Sequence, residues 1–392
     1  MKYFFVISLT CISALVKAQN IHVKRAFSHA QSQISYMLKE VRLADSAGSQ
    51  TLVSPRTFEK KQIKMVRSGD WTSGFFPGIL WYLYEYSKDR KWLDEAKKYT
   101  ARIETEKNNT GTHDLGFMIG CSFGNGYRLT GSESYKSVIL QAARSLSKRF
   151  NPVTGVIRSW DHNKDKWTYP VIIDNMMNLE LLFEASRLTG DSSFRKIAIR
   201  HANTTLKNHF RPDYSSYHVV DYDPARGVVK SRGTHQGYSD ESAWARGQGW
   251  ALYGFTMCFR ETKDHTYLHQ AENVASFILS NKNLPSDGVP YWDFNDPAIP
   301  NAPRDASAAA VIASALYELA SYSTRSSEYI KAANHILNSL SEKYTSPTGQ
   351  NGGFILTHST GHKPANSEID VPLIYADYYY LEALLRYKTL ME

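Results

Sequence analysis

Lys88-Asp89-Arg90-Lys91-Trp92, Thr130-Gly131-Ser132-Glu133-Ser134-Tyr135, Gly190-Asp191-Ser192-Ser193-Phe194, Lys263-Asp264-His265-Thr266-Tyr267 and Arg325-Ser326-Ser327-Glu328-Tyr329 are five versions of one event. In each, a helix-like run ends at a short polar turn and a new run begins on an aromatic ring. Four of the five carry Ala four residues after the ring (Ala96, Ala198, Ala271 and Ala333), and Ile139 takes that place in the second. A helix-turn-helix unit cannot bury its apolar face alone, so repeated units must stack or close on one another.

Working outward from these restarts, apolar periodicity predicts roughly twelve helices: 26–44, 74–87, 91–106, 116–130, 134–149, 173–188, 191–209, 243–262, 266–281, 306–323, 326–343 and 371–389. Strand-like alternation is confined to short stretches near 156–160 and 217–230. Twelve helices in six hairpins, the first and last left to pair, predict an all-α closed ring, an (α/α)6 barrel or six-hairpin toroid. An open solenoid would want a polar capping repeat, and Leu373-Ile374-Tyr375-Ala376-Asp377-Tyr378-Tyr379-Tyr380-Leu381 is too apolar to cap one. Even-numbered helices are poorer in charge, as the run 306–315 shows, and are expected on the inside. Odd-numbered ones carry surface charge such as Asp94, Glu95, Lys97 and Lys98. Parallel inner helices would bring all their N-termini to one end.

The first 18 residues read as a secretory signal: Lys2, an apolar run from Phe4 to Val16, and Val16-Lys17-Ala18 before the expected cut at Gln19. The run is too short to span a membrane. Export to the periplasm is the expectation, with secretion, or lipid anchoring through Cys11, as alternatives. Residues 19–392 are then expected to form one catalytic barrel domain. Losing Lys2 and Lys17 lowers the formal charge from +8 to +6. That balance suits acidic substrates, but Lys and Arg are scattered, which argues against nucleic acid. Cys121 and Cys258 lie in apolar helical runs and are expected as buried free thiols. No Cys/His spacing marks a zinc site, and neither metal nor cofactor is expected. Aromatic residues make up 13%, with 25 Tyr and 8 Trp. Such rings serve packing and also stack on the C–H faces of sugars.

At the expected inner-helix starts stand Asp70-Trp71, His113-Asp114, Asp174-Asn175, Trp244-Ala245-Arg246, Arg304-Asp305 and Asp370. One Asp at a helix start is ordinarily a cap. Six clusters dense in Trp, Arg and Asp at one barrel mouth point instead to a carbohydrate site. Two carboxylates are the usual apparatus for glycosidic chemistry, and Asp114 and Asp174 open successive inner helices. A helix N-terminus lowers a carboxyl pKa; a neighbouring like charge and an apolar setting raise it.

Ser68-Gly69-Asp70-Trp71-Thr72-Ser73-Gly74-Phe75-Phe76-Pro77-Gly78, His113-Asp114-Leu115-Gly116-Phe117, Asp174-Asn175-Met176-Met177-Asn178, Trp244-Ala245-Arg246-Gly247-Gln248-Gly249-Trp250 and Val371-Pro372-Leu373-Ile374-Tyr375-Ala376-Asp377-Tyr378-Tyr379-Tyr380 resemble the unsaturated glucuronyl hydrolases, glycoside hydrolase family 88. The resemblance runs from about residue 65 to the C-terminus, with the motifs in order. It implies hydrolysis of oligosaccharides that polysaccharide lyases leave with a Δ4,5-unsaturated uronic acid at the non-reducing end. Protonation at C4 of the vinyl ether makes an oxocarbenium-like centre at C5. Water adds there, and the hemiketal opens with loss of the second sugar.

Carried over, Asp174 is the acid that protonates C4 and then the base for water. Asp114 binds ring hydroxyls and raises the Asp174 pKa. Gln236, Arg246 and Trp250 hold the uronate, with His218 as a substrate-binding histidine and Trp71 and Trp244 lining the floor. His113, Asn175 and Tyr375 join them at the helix starts. A local packing role for His218, and an ion pair of Arg246 with Asp240 or Glu241, are the structural alternatives. Around His358-Ser359-Thr360-Gly361-His362-Lys363, Ser359 and Lys363 are expected to meet the second sugar. Where sulfate-accepting members carry Arg, this chain has His235, which argues against a strong preference for sulfated chondroitin products and leaves heparin- or ulvan-derived ones open. The nearest rival, an unsaturated rhamnogalacturonyl hydrolase, is expected to lack the aspartate matched to Asp114. An inverting glycosidase and a non-catalytic glycan-binding protein are more distant readings. The expected partners are such oligosaccharides, with no nucleic acid, no membrane after signal removal, and a monomeric or weakly dimeric protein.

Overall fold

The computed structural model describes residues 21–46 and 51–391; the expected signal segment, with Cys11, lies outside them. Among the described residues there are twelve α-helices: α1 (Val23–Ser46), α2 (Phe75–Ser87), α3 (Arg90–Ala101), α4 (Asn125–Thr130), α5 (Glu133–Ser147), α6 (Asn175–Thr189), α7 (Ser192–Asn208), α8 (Ala245–Thr262), α9 (His265–Ser280), α10 (Ala306–Ala320), α11 (Ser326–Lys343) and α12 (Ile374–Met391).

The restarts work by a shared local device. In four of them the first helix ends on a left-handed residue, Lys88, Gly131, Gly190 or Lys263, with φ of 57°, 65°, 75° and 60°. Each returns its N–H at 2.8 Å to the carbonyl four residues back, an end that satisfies an orphan helix carbonyl. In three of these four an aspartate follows at once. Asp89, Asp191 and Asp264 each accept the N–H two residues on and so cap α3, α7 and α9. The fifth hairpin differs: the Ser323 hydroxyl accepts the Arg325 N–H at 3.1 Å, and Arg325 pairs with Glu328 at 2.7 Å. The ring and the small residue four places on share a helical face, and Trp92/Ala96, Phe194/Ala198, Tyr267/Ala271 and Tyr329/Ala333 are all buried.

The even helices form the inner ring. α2 packs on a π-helical segment, Gly116–Gly124, that runs into α4; this segment packs on α6, α6 on α8, α8 on α10, α10 on α12, and α12 on α2. The odd helices back their partners, and α1 lies against α12 and α2. The ring therefore closes as an (α/α)6 barrel. Every residue of α10 is buried. Cys121 and Cys258 are buried free thiols.

The run expected as one helix over 116–130 is thus π-helical for its first nine residues. Glycine is required there: a Cβ on Gly116 would stand 2.5 Å from the Asn178 Cα. Asn178 also takes the Phe117 N–H on its Oδ1 at 3.0 Å, so α6 holds the start of the π segment.

The strands are more numerous than the sequence reading allowed, and several lie ahead of inner helices. β1 (Leu52–Glu59) and β2 (Gln62–Arg67) precede α2; β3 (Phe150–Asn151) and β4 (Val156–Ile157) follow α5; β5 (Pro170–Ile172) precedes α6; β6 (Val219–Tyr222) and β7 (Val229–Gly233) precede α8; β8 (Ser359–His362) and β9 (Ser367–Val371) precede α12. β5-β6-β7 form one antiparallel sheet and the others are two-stranded hairpins. The expected stretches near 156–160 and 217–230 are found; β1–β2 and β8–β9 are additional. The β1–β2 turn uses Lys60 and Lys61 at φ 50° and 62°, conformations usually signalled by Gly or Asn.

Inner-helix direction is uniform. Residues at or near the N-termini of α2, the π segment, α8 and α12 meet one another, with Phe75–Phe117 at 5.5 Å, Phe117–Trp250 at 5.3 Å and Phe75–Tyr375 at 6.0 Å. At the other end, Arg260 bridges Glu180 and Glu318, and Arg386 reaches Glu318 at 2.6 Å and Glu382 at 3.8 Å. A cavity of about 800 Å³ opens there, and its carboxylates find partners within the protein.

Candidate active site

Of the six clusters at the inner-helix starts, the structure separates caps from uncommitted groups. Asp70 accepts the Thr72 N–H and hydroxyl and pairs with Arg56 at 2.9 Å. Asp305 caps α10 through the Ser307 N–H, and Arg304 is tied to Asp287 and the Val289 carbonyl. Asp370 makes an exposed pair with His358 at 2.7 Å. These are structural. Asp174 stands at the N-cap position of α6, yet its side chain makes no capping bond.

Asp174 is 8% exposed, and its Oδ2 has no protein hydrogen-bond partner. Burial pushes its carboxyl up to about 7, partly opposed by His113, Arg246 and its own backbone N–H, with a smaller upward push from Asp114. The like charge thus acts in the expected direction but ranks below burial. A raised pKa alone does not mark a site. Asp377 is also pushed by burial to about 8, but its two oxygens accept the Ile355 and Leu356 N–H groups at 2.8 Å and it only ties down a loop.

Asp114 is the opposite case. Burial would raise its carboxyl, but His113, the Thr112 hydroxyl and Arg149 hold it below the usual range. Its oxygens lie 3.1 Å from His113 Nε2 and 2.5 Å from Thr112 Oγ1. One carboxyl is thus raised and the other lowered, and the two are close enough for the Asp114 charge to act on Asp174, the kind of split that two-carboxyl sites use.

The other expected residues form a connected wall. Trp71 meets Tyr375 at 4.8 Å and Phe117 at 5.5 Å. The Arg246 guanidinium lies 5.3 Å from the Tyr375 ring and 4.5 Å from Trp244, and Trp244 packs on His218 at 4.5 Å. His218 Nε2 is 3.7 Å from Asp174 Oδ2. Along this wall His113 Nδ1, His218 Nε2, Trp250 Nε1, Ser359 Oγ and Tyr375 Oη are buried without a protein partner. Buried polar atoms are nearly always satisfied; others of this kind, such as Tyr99 Oη and Gln270 Nε2, lie elsewhere, but here five sit beside the uncapped Asp174.

Several expected roles change. Arg246 is 1% exposed and pairs with Asp305 at 2.8 Å, not with Asp240 or Glu241. It also donates to the Thr360 and Gly361 carbonyls at 2.7 Å, so most of its fork is spent on α10 and β8. Asn175 is fully buried, and its amide is given to the Ile157 carbonyl at 2.8 Å. Its Oδ1 is buried without a protein partner. Gln236 Nε2 donates to the Gly361 carbonyl at 3.0 Å. Lys363 is held 3.4 Å from Asp296 and 4.9 Å over Trp292, which leaves it a partly neutralised charge.

The sequence reading also missed an aromatic side wall. Trp160 stacks on His162 at 5.1 Å and meets His235 at 5.5 Å; Trp167 lies 5.6 Å from His235, which meets His362 at 4.6 Å. The dense run Trp160-Asp161-His162 with Trp167 close behind was its only local signal. Burial lowers the pKa of His162, His235 and His362, that of His235 to about 4, so this wall is uncharged at neutral pH.

Comparison with known proteins identifies the family. The model of Glycosyl Hydrolase Family 88 matches residues 43–389. An unsaturated glucuronyl hydrolase of Formosa agariphila is 53% identical over 331 residues, 84% of this chain and 82% of that protein. An unsaturated chondroitin disaccharide hydrolase of Streptococcus agalactiae is 34% identical over 91% of each chain. A solved unsaturated glucuronyl hydrolase specific for heparin superposes with a TM-score of 0.87 at 46% identity, covering 93% of this chain and 97% of the other. The chain belongs to glycoside hydrolase family 88 and is a glycoside hydrolase.

Proposed function

We propose that the protein releases the Δ4,5-unsaturated uronic acid from the non-reducing end of lyase-generated oligosaccharides, with Asp174 as the acid–base group. The observation that carries this reading is the Asp174 carboxyl: buried, uncapped, unpartnered at Oδ2 and pushed up to about 7. Such a group is protonated in a large share of molecules near neutral pH and can give its proton and take one back. The proton goes to C4 as the double bond's electrons form the new C–H bond. The ring oxygen shares the positive charge left at C5. Water then adds to C5, and the carboxylate takes its proton, which restores the acid. The hemiketal at C5 opens to a ketone, and the hemiacetal at C1 expels the second sugar as its alcohol.

Asp114, ionised, accepts hydrogen bonds from ring hydroxyls. The uronate carboxylate lies against Arg246, whose charge is shared with Asp305, so the unpartnered donors Trp250 Nε1–H, Tyr375 O–H and Ser359 O–H carry much of its recognition. Trp71 and Trp244 supply apolar floor. The second sugar meets the wall of Trp160, His162, His235 and His362, with Lys363 beyond. The named relatives support the reaction class. Export to the periplasm and a monomeric or weakly dimeric state belong to the same reading, for which cell fractionation and sedimentation are the checks.

The test is a panel of unsaturated disaccharides, followed through loss of the absorbance of the conjugated double bond. Turnover of unsaturated glucuronyl substrates, with saturated uronides untouched, is the expected result. Cleavage of saturated uronides, or preference for a rhamnogalacturonan-derived disaccharide, would overturn it.

A further inference from the structure

Asp174 and His218 come from neighbouring strands. Asp174 follows β5 and His218 precedes β6, and the Ile173 N–H donates to the His218 carbonyl at 3.0 Å. The two side chains therefore start side by side at the mouth. His218 Nδ1 accepts the backbone N–H groups of His235 and Gln236, both at 3.1 Å, and Thr234 Oγ1 lies 3.3 Å from the same nitrogen. A ring nitrogen receiving two backbone donors presents its lone pair. The single proton of the neutral ring therefore sits on Nε2, and a second proton at Nδ1 would face both donors. Burial lowers the ring's pKa well below its ordinary value, and the positive charge of Arg246 adds to this. Nε2 is the atom that looks at Asp174 Oδ2 across 3.7 Å, and neither atom has another protein hydrogen-bond partner. That separation exceeds a hydrogen bond, as catalytic contacts in ligand-free sites often do before they tighten on substrate.

We infer that His218 is a positioning residue, locked as the neutral Nε2–H tautomer, that donates to Asp174 Oδ2 when substrate is bound. The inference rests on Asp174 being the acid–base group and goes beyond contact with the sugar. A donor on Oδ2 directs the other oxygen of the carboxyl toward C4 and stabilises the carboxylate left after proton transfer. It opposes the effect of burial, so the acid does not become too weak to give its proton. His113 and Arg246 oppose burial from the π-segment and α8 sides, and Asp114 works with burial. The locked tautomer also means that His218 never supplies a positive charge to the uronate.

Two substitutions separate donor from loop support. In His218→Asn the side-chain carbonyl can replace Nδ1 as acceptor for the loop, but the Nε2–H is lost. In His218→Gln the amide can reach the Nε2 position as a donor, but the loop acceptor is lost. The readout is the pH dependence of kcat on an unsaturated disaccharide, with Asp174→Asn measured beside it. The expected result is an alkaline limb that moves up by about half to one pH unit in His218→Asn and stays in place in His218→Gln. The plateau of His218→Asn should fall about three- to tenfold, the weight of one hydrogen bond. A limb that moves in His218→Gln but not in His218→Asn, or in neither, overturns the inference while leaving an inactive Asp174→Asn to support the acid assignment. An active Asp174→Asn overturns both. Nitrogen NMR of the wild-type protein labelled at its histidine rings needs no variant. A ring that stays neutral with its proton on Nε2 from about pH 5 to 8, the range in which an ordinary histidine titrates, is expected. Finding every histidine protonated, or on the Nδ1–H tautomer, by the acid end of that range sinks the idea.

Discussion

Replacing Asp174 by Asn keeps the shape of the side chain and removes the proton it gives. Loss of general acid–base function typically costs about 10²–10⁴-fold, and here one group serves two steps, so kcat should fall to the upper end or beyond. KM should move little, because Arg246, Trp250, Tyr375 and Ser359 still hold the ring, the signature of an interaction needed in the transition state. More than about a tenth of wild-type kcat, short of the low end of that range, would show the proton donor to be misassigned. Asp114→Asn is a subtler case. It removes a negative charge that raises Asp174, so the alkaline limb and the pH optimum should move down. The move should be modest, because burial leads the causes, and weaker hydroxyl binding should raise KM. An upward move would contradict the ordering of charges. Much of this was legible from residue types, since Asp114 and Asp174 stand in recognisable motifs. The resemblance also implied that Asp174 is the raised acid, but not what sets the two carboxyls apart. That depends on burial at Asp174 on one side, and on His113, Thr112 and Arg149 overcoming burial at Asp114 on the other.

Between elements, Arg246 joins α8 to α10 through Asp305 and to β8 through two carbonyls. Removing one partner of a buried pair leaves an uncompensated charge, which typically costs 3–5 kcal/mol, so Arg246→Ala should lose roughly that much in chemical denaturation. Adding Asp305→Asn should return part of it, because the stranded charge disappears. If the double variant is no more stable than the single one, the lost packing rather than the stranded carboxylate dominates. The partners expected for Arg246 were nearby acids in sequence, whereas the one it has is 59 residues away. The helical hairpins were legible because caps, left-handed ends and ring-to-alanine spacing are local events. The β1–β2 hairpin was not, because its turn is made of two lysines and Pro55 sits within β1.

For the whole molecule, the buried acid sets stability against function. The Asp174 carboxyl is raised from an ordinary 3.8 to about 7. A group raised in the folded state contributes stability that is fully present below its unfolded pKa and lost as pH rises through the folded value. The penalty therefore grows from about pH 4 and is complete above about pH 7, with a ceiling of roughly 4 kcal/mol from the shift of about three units. Asp174→Asn carries no such charge. Its melting temperature should exceed that of the wild type at pH 8, and the gain should shrink toward pH 4. An equal difference at both pH values would mean that the carboxyl is not held protonated by the fold. Asp377, raised to about 8, remains in both proteins and shares the window, so the comparison isolates Asp174.

The sequence by itself determined the twelve-helix repeat, the closure of the ring and the motifs of the mouth, because periodicity, caps and turn residues act over a few positions. With the inner helices taken as parallel, it led to the expectation that Asp114, Asp174, Arg246 and Trp250 converge at one end. Only the tertiary structure decided which polar groups were already spent. The Asn175 amide N–H went to Ile157, Arg246 to Asp305, Lys363 to Asp296, Asp70 to Thr72 and Arg56, and Asp305 to capping α10, while Asp174 Oδ2 and His218 Nε2 were left facing each other. Hydrogen-bond satisfaction and burial depend on which distant segments arrive at a side chain, and no local pattern carries that information.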